Sequence, residues 1–113
     1  MSTESSEHCS ELFLFYYFSM YFVYIIYSVK LDNFYVGTTD DVQRRLQEHN
    51  SKTYPDSYTV KVVPWNLVLN YVCDKSETAY KLEKFIKRMK SRKFIVKIIE
   101  DSTILDDICL NKL

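Results

Sequence analysis

Glycine and proline are scarce in this 113-residue chain, which contains one glycine and two prolines. Average sequences contain about 7% glycine, much of it in turns and loops. The single glycine, Gly37, follows the pair Tyr35-Val36 and precedes a segment with helical periodicity. The chain therefore keeps its one glycine at the junction between an apparent strand and an apparent helix.

Cysteine is also sparse and shows no pattern. The three cysteines, Cys9, Cys73 and Cys109, are odd in number, and no two of them have the spacing of metal ligands. Such residues are typical of reduced thiols in a cytosolic protein, so we expect a cytoplasmic location.

The chain lacks an apolar run long enough for a membrane helix. The longest run, residues 12–27, has 16 residues and includes five tyrosines and a serine. A spanning helix needs roughly 18–20 predominantly apolar residues, and the run also lacks the positive flank of a signal peptide. We therefore expect no stable membrane insertion.

The net charge is zero, but the charges are segregated. Residues 1–19 hold three acids and no base, and residues 100–113 hold four acids and one base. Residues 20–99 therefore carry a net charge of +6. This excess permits a polyanionic partner such as nucleic acid, and it is equally typical of an ordinary solvated surface.

Hydrophobic periodicity predicts three strands followed or separated by helices. The strands are expected at residues 21–29, 33–36 and 65–74, and the helices at 41–50, 76–90, 91–100 and in a short C-terminal tail. Asp32-Asn33 suits a tight hairpin turn, and Thr39 or Asp40 can cap the first helix. Residues 51–64 have no period and are expected to form a loop. The order β-β-α-β-α-α predicts an α/β fold, a small three-stranded antiparallel sheet flanked by helices.

The first helix places two polar residues on its apolar side. At 100° per residue, Arg45 and His49 fall on the stripe of Val42 and Leu46. The solvent side takes Gln43, Arg44, Gln47 and Glu48. One interpretation is an arginine stem on the core with its head at the rim, beside a hydrogen-bonded core histidine. The other is a helix that faces an open cleft, where Arg45 binds phosphate through its planar donor fork.

A single acid lies within a basic segment. Residues 81–97 contain eight Lys/Arg and one carboxylate, Glu83. Glu83 can form an i,i+4 pair with Lys87, or it can hold a divalent cation such as Mg²⁺, which keeps most of its waters. The residues alone leave both interpretations open. The same holds for Tyr24 and Tyr35, which suit either a core position with a satisfied hydroxyl or the deprotonation of a water.

These residues together resemble a GIY-YIG endonuclease domain, most closely its small single-domain members. The first name-giving block corresponds to residues 22–24, where only the tyrosine is kept, and the second to residues 35–37, a near match. Arg45, His49 and Glu83 match the family's arginine, histidine and metal-binding glutamate. The stretches EHN at 48–50, PWNLV at 64–68 and KSRKFI at 90–95 add to a resemblance that covers about residues 20–99.

The resemblance implies a metal-dependent endonuclease that hydrolyses DNA phosphodiester bonds, with DNA repair or recombination as its setting. Tyr24, with Tyr35 as a second candidate, would take the proton of the attacking water. Arg45 would stabilise charge on the phosphate, His49 would orient or help transfer a proton, and Glu83 would hold Mg²⁺ or Mn²⁺. DNA selected by structure rather than by sequence is expected to contact Gly37, Lys84, Lys87, Arg88, Arg92 and Lys93. At Gly37 a side chain would crowd the substrate backbone or the turn into the helix.

Two other functional classes stay open, together with the division of the chain. One is a nucleic-acid-binding module that has the same fold and little or no turnover. The other is a membrane-associated or partner-binding protein that uses its aromatic N-terminus. Residues 1–19 are expected to be an extension, residues 20–100 the nuclease-like domain, and residues 101–113 a helical tail.

Overall fold

The predicted strands form one antiparallel sheet with the first strand in the middle. The computed structural model describes residues 20–51 and 64–113. The strands are β1 (Tyr21–Ser28), β2 (Asn33–Thr39) and β3 (Trp65–Cys73), in the spatial order β2-β1-β3. The helices are α1 (Val42–Asn50), α2 (Ser76–Met89), α3 (Arg92–Glu100) and α4 (Thr103–Asn111). The predicted α/β architecture is confirmed.

A tight turn joins β1 to β2, as the pair Asp32-Asn33 predicts. Asp32 adopts a left-handed backbone with φ of 53°, which aspartate tolerates better than most residues. Arg92 at the start of α3 holds this turn by donating to the carbonyl and the carboxylate of Asp32 at 2.7 and 2.6 Å. The other positive φ among the described residues, 48°, belongs to Lys90 after α2. Neither left-handed position is therefore occupied by glycine.

A bulge divides the pairing of β1 with β3. The register shifts between Ile25, which lies opposite Leu69, and Ile26, which lies opposite Leu67. Such a shift changes which side of the sheet the following residues face. As a result Leu67 and Trp65 pack with Ile26, on the side opposite Leu69.

One face of the sheet is aliphatic and is covered by α2, α3 and α4. Its buried residues are Val23, Ile25, Val36, Leu69, Cys73, Ala79, Leu82, Ile86, Ile98, Leu105 and Ile108. On α2 the buried positions 79, 82 and 86 have the spacing of one helical face. The helix predicted in the tail, α4, contributes Leu105 and Ile108 to this core.

The opposite face is aromatic and is covered by α1. Its buried residues are Phe22, Tyr24, Ile26, Val42 and Trp65, and the partly buried Met20, Tyr35, Leu46 and Leu67 pack against them. Each strand thus contributes an aromatic ring to the side from which α1 presents Arg45 and His49. The partly buried Tyr21, Phe34 and Tyr71 pack on the other face.

The structure corrects two local predictions at the junction of β2 and α1. β2 does not end at Val36, because its ladder with β1 continues to Thr39. The predicted cap at Thr39 or Asp40 is wrong, since the Asp41 carboxylate accepts the N–H of Arg44 at 3.1 Å. The Thr39 hydroxyl instead accepts the N–H of Asp41, also at 3.1 Å, and so shapes the turn into the helix.

Two predictions fall outside the described residues, namely the extension at residues 1–19 and residues 52–63 of the predicted loop. Over residues 20–51 and 64–113, no helix combines the length and the apolar character needed to cross a membrane.

Candidate active site

Five predicted site residues converge on β2, an edge strand of the sheet. β1 and β2 supply the tyrosines, and α1 brings the arginine and the histidine to the aromatic face. α2 approaches the same strand from the aliphatic face and brings the glutamate to Thr38. The converging residues are Tyr24, Tyr35, Arg45, His49 and Glu83.

The ring of Tyr24 lies across Gly37, its partner on β2. A Cβ at Gly37 would lie 2.5 Å from the Tyr24 hydroxyl and 2.6 Å from its Cζ atom, too close for any real contact. Gly37 does not have a positive φ, so space rather than backbone freedom requires the glycine. Gly37 is itself buried, and the group that a side chain would crowd is the protein's own tyrosine.

Tyr24 and His49 form a buried hydrogen-bonded pair. The Tyr24 hydroxyl lies 3.0 Å from Nε2 of His49, and the two residues are 2% and 4% exposed. Tyr35 packs edge-on against the imidazole, with 4.9 Å between ring centroids. His49 is therefore a hydrogen-bonded histidine of the aromatic core that also lies next to both candidate tyrosines.

Burial keeps both members of this pair uncharged in the free protein. It lowers the pKa of His49 to about 4, assisted by the positive charge of Arg45. It raises the pKa of Tyr24 to about 12, although hydrogen bonding by Arg45 opposes that rise. A neutral phenol and a neutral imidazole thus share one hydrogen bond, whose direction follows the tautomer of His49.

α1 turns its two adjacent arginines to different environments. The Arg44 side chain is 56% exposed and pairs with Asp40 at 2.8 Å. The Arg45 side chain is 35% exposed, and although burial alone would lower its pKa, Tyr24 and Glu48 raise the pKa overall. The predicted inward position of Arg45 is confirmed. The predicted solvent position of Glu48 is wrong, because its side chain is 25% exposed and accepts from Arg45 Nη1 at 3.0 Å.

Glu83 has both carboxylate oxygens engaged. Oε1 accepts from the Thr38 hydroxyl at 2.5 Å, and Oε2 accepts from Lys87 Nζ at 2.7 Å. The predicted i,i+4 pair is therefore present. Lys87 Nζ also lies 6.0 Å from the centre of the Tyr35 ring, so it connects the glutamate with the aromatic group.

The basic residues expected to contact nucleic acid do not form one surface. Lys87 lines a groove of about 320 Å³ beside β2 together with Arg92, and Arg92 is already bonded to the hairpin turn. Lys84 and Arg88 line a separate depression on another side of α2. Lys93 is exposed on α3.

Two contacts at the site escaped the sequence reasoning. Thr38 was not singled out, although its alternation with Val36 indicates a side chain on the α2 face. The Asn50 amide accepts the N–H of Trp65 at 2.7 Å and donates to its carbonyl at 3.2 Å. Asn50 and Trp65 belong to the stretches EHN and PWNLV, and only the folded chain shows that they meet.

The donor set around Glu83 suits a hard cation. A carboxylate and the Thr38 hydroxyl are oxygen donors, and Mg²⁺ often binds through one or two carboxylates, with waters and substrate phosphates as further ligands. No group of three or more His, Cys, Asp or Glu side chains comes together within the described ranges. The residues therefore fit a single-carboxylate Mg²⁺ or Mn²⁺ site rather than a cage made by protein alone.

The segment that carries this geometry also matches a known family. The family model described as the GIY-YIG catalytic domain matches residues 20–95, which include all five converging residues. The chain belongs to the GIY-YIG family. Comparisons with curated proteins and with solved structures gave no match. At the level of the family, the match indicates a nuclease-type domain, and phosphodiester hydrolysis is the reaction class of such domains.

The GIY-YIG domain keeps its two motif blocks in register across the ladder. Tyr24 of the first block lies opposite Gly37 of the second. The first block begins with Phe22 instead of glycine, and Phe22 is 6% exposed within the aromatic cluster, opposite Thr39. The phenylalanine that replaces the motif's glycine is therefore accommodated by packing on the aromatic face.

Proposed function

We propose that this GIY-YIG domain is a metal-dependent endonuclease that hydrolyses phosphodiester bonds in DNA selected by structure rather than by sequence. One observation carries the proposal. Glu83, Arg45 and the Tyr24–His49 pair reach the same edge strand from opposite faces of the sheet. An anion-binding fork, a carboxylate and a neutral proton-transfer pair are the parts that phosphodiester hydrolysis requires.

The Tyr24–His49 pair accepts the proton of the attacking water. The Tyr24 hydroxyl takes that proton while it passes its own to the neutral Nε2 of His49, 3.0 Å away. Tyr35, which is partly exposed beside the imidazole, holds the water. A tyrosinate is not needed at any stage, which agrees with the raised pKa of Tyr24.

Arg45 stabilises the negative charge that develops on the phosphate. Its guanidinium lies beside Tyr24 and keeps 35% of its side chain exposed. A planar donor fork can bind two phosphate oxygens at once, whereas an ammonium acts as a point charge.

Glu83 would hold the metal ion through a carboxylate that the Thr38 hydroxyl keeps oriented. A bound Mg²⁺ or Mn²⁺ would supply Lewis-acid stabilisation of the leaving oxygen.

DNA as the partner is supported by the nuclease family and by the net charge of +6 on residues 20–99. Cys73 and Cys109 are free thiols, which suits a reducing compartment. A cytoplasmic location, with DNA repair or recombination as the setting, is part of the same proposal.

A nucleic-acid-binding module with little turnover is the second candidate. One observation favours it: Thr38 and Lys87 already engage both carboxylate oxygens of Glu83. A metal ion would therefore have to displace the ammonium group of Lys87.

Glu83→Gln separates the two candidates. The full chain and the variant are incubated with branched, nicked and linear DNA, with and without Mg²⁺. For a nuclease, the variant loses about 10³-fold or more in cleavage rate, because metal stabilisation of the transition state amounts to several kcal/mol. DNA affinity holds or rises, since the variant lacks the one acid among eight bases.

The matched control is Glu77→Gln, an exposed acid on the same helix that pairs with Lys81. It should cleave at the rate of the unmodified chain. Equal cleavage by the unmodified chain and by Glu83→Gln across a Mg²⁺ titration would refute the metal role. Tight binding without cleavage of any substrate would favour the binding module.

A further inference from the structure

A second set of basic side chains lies on a separate side of α2. Lys81, Lys84 and Arg88 have i, i+3, i+7 spacing and share one stripe of the helix. Lys112, which follows α4, joins them, and the four line a depression of about 200 Å³ with Leu113. These four bases are named here the outer patch.

The outer patch does not belong to the candidate active site. At 100° per residue, Lys87 is about 40° around the helix from Glu83, whereas Lys84 and Arg88 are about 100° and 140° away. α2 is about 10–12 Å across with its side chains. The two basic surfaces therefore lie on adjacent sides of one helix, since Lys84 and Arg88 are about 60° and 100° around the helix from Lys87.

The charge of the outer patch is mostly uncompensated within residues 20–51 and 64–113. Lys81 pairs with Glu77 at 3.0 Å, but no ion pair in those ranges involves Lys84, Arg88 or Lys112. The Arg88 guanidinium lies 5.5 Å from the centre of the Phe85 ring, which fixes its position. No Asp or Glu side chain lines the depression.

Lys112 is a base within an acidic part of the sequence. Residues 100–113 contain four acids and one base. The fold brings that one base to the outer patch, while Asp106 lies at Tyr71 on β3. Two elements far apart in the chain therefore contribute cations to one concave surface.

We propose that the outer patch binds the phosphate backbone of a second DNA segment, apart from the segment held at the candidate active site. This inference rests on the proposed function and narrows its substrate to DNA that presents two segments at once. From Lys81 to Arg88 the stripe covers about 10 Å along the helix, the axial rise of about three nucleotides of one strand. Phosphate contacts of this kind position a nucleic acid without reading its sequence.

DNA is a better occupant than an acidic protein or a membrane because α2 carries both surfaces. Lys87 lies at the candidate active site, and Lys84 and Arg88 lie about 60° and 100° further around the same rigid helix. A branched molecule can place one arm against each surface, and a rigid helix between them fixes the distance between the arms.

The test uses the full chain with the double substitution Lys84→Ala/Arg88→Ala. The control is Lys30→Ala/Lys97→Ala, which removes the same charge at exposed positions outside both surfaces. Affinity is measured by fluorescence anisotropy in EDTA, where cleavage does not interfere, for a branched DNA and a short linear duplex over a range of salt concentrations.

The outer-patch variant should bind branched DNA about 10-fold or more weakly, and the slope of log Kd against log salt should fall by about 2, one counterion per lost phosphate contact. Its affinity for the short duplex should stay within about 2-fold, and the control should bind both DNAs as the unmodified chain does. Thermal unfolding of each variant checks that the fold is retained.

Equal affinity of the outer-patch variant and the control for branched DNA would overturn the inference. An equal loss on branched and linear DNA would also overturn it, because the patch would then contact the same duplex as the candidate active site. The inference would also be overturned if the outer-patch variant lost binding to phosphatidylserine-containing vesicles while its affinity for DNA was unchanged. Cleavage of the branched DNA by the unmodified chain in Mg²⁺ is measured separately. If the outer-patch variant binds branched DNA more weakly but the unmodified chain cleaves no DNA, the nuclease proposal is refuted and the second DNA contact is supported.

Discussion

The two faces of the sheet use the same three strands and differ in what they bury. The face under α2, α3 and α4 buries aliphatic side chains together with a cysteine and an alanine. The face under α1 buries aromatic rings, and His49 accompanies them with its hydrogen bond to Tyr24. The difference teaches that burial alone does not separate structural from functional residues here. Leu82 and Tyr24 are 0% and 2% exposed, yet we expect opposite consequences when each is changed.

Tyr24→Phe should show the largest effect on activity and a moderate effect on stability. The ring still fills its place over Gly37, so the cost in unfolding free energy should be about 1–3 kcal/mol, from the lost buried hydrogen bond to His49. Loss of the proton-transfer hydroxyl should lower kcat by about 10²–10⁴-fold. Single-turnover cleavage and thermal unfolding measure the two quantities.

Leu82→Ala is the counterpart on the aliphatic face. It should cost about 2–5 kcal/mol of unfolding free energy and leave kcat per folded molecule close to that of the unmodified chain. If Tyr35→Phe lowered kcat more than Tyr24→Phe does, the assignment of the two tyrosines would have to be exchanged.

Arg45→Lys should be nearly as damaging to kcat as Arg45→Ala, by about 10²-fold. Lysine keeps the charge but cannot reproduce the planar fork. Arg44→Lys, on the exposed side of α1, should change kcat by less than about 3-fold. Equal effects at the two positions would contradict the difference in their environments.

Gly37→Ala tests the contact between the strands on the aromatic face. The new Cβ would overlap Tyr24, so we expect a loss of about 1–3 kcal/mol from overpacking, which lowers the unfolding midpoint by about 5 °C or more. Activity should fall as well, because the tyrosine is displaced from His49. An alanine variant with an unchanged midpoint would show that Tyr24 moves aside without cost.

His49 should make the stability depend on pH in a defined window. Its folded pKa of about 4 lies below the usual value near 6.5. Between those values the unfolded chain binds a proton that the folded chain does not, so the free energy of unfolding falls as the pH drops from 6.5 to 4. The contribution is up to about 3 kcal/mol, and it is fully present above pH 6.5.

Unfolding by denaturant at a series of pH values measures this dependence. His49→Gln should flatten the curve between pH 6.5 and 4, since glutamine does not titrate. Parallel curves for the two proteins would mean that other groups cause the loss of stability in acid.

The smallest effect is expected from a chain that starts at Met20. The family match begins at that residue, and Met20 packs against the aromatic cluster. Specific activity and unfolding midpoint should be nearly the same as for the full chain. A midpoint lowered by more than about 8 °C, or roughly 1–2 kcal/mol, would show that residues 1–19 contribute to the aromatic side of the core.

Local patterns were sufficient for most of the fold. β-branched and aromatic composition predicted β1, and alternation predicted β3. The spacing of Ala79, Leu82 and Ile86 predicted α2, and Asp32-Asn33 predicted the hairpin. The cap of α1 was misplaced because Thr39, Asp40 and Asp41 can all act as caps, and only the continuation of the β2 ladder decides among them. The bulge opposite Ile25 and Ile26 depends on pairing between distant strands, which periodicity within one strand does not contain.

The sequence and the resemblance named the residues that the fold brings together at the candidate site, but not the contacts between them. The angles around the helix placed Arg45 inward. They did not predict its bond to Glu48, which depends on how far the two side chains extend. Thr38 and Glu83 are 45 residues apart, and no local pattern connects them. The role of Gly37 was likewise attributed to the substrate, because the sequence does not show that Tyr24 covers it.

Because the ring of Tyr24 covers Gly37, the tyrosine of the first family motif depends on the glycine of the second. A lineage that gains a side chain at position 37 must also lose or move the tyrosine at position 24, so substitutions at the two positions should be correlated. This chain has Phe22 and Val23 at the other two positions of the first block and keeps both the tyrosine and the glycine. A search that scores the tyrosine and the glycine jointly, as partners across one strand ladder, should therefore detect diverged members that two separate motif searches overlook.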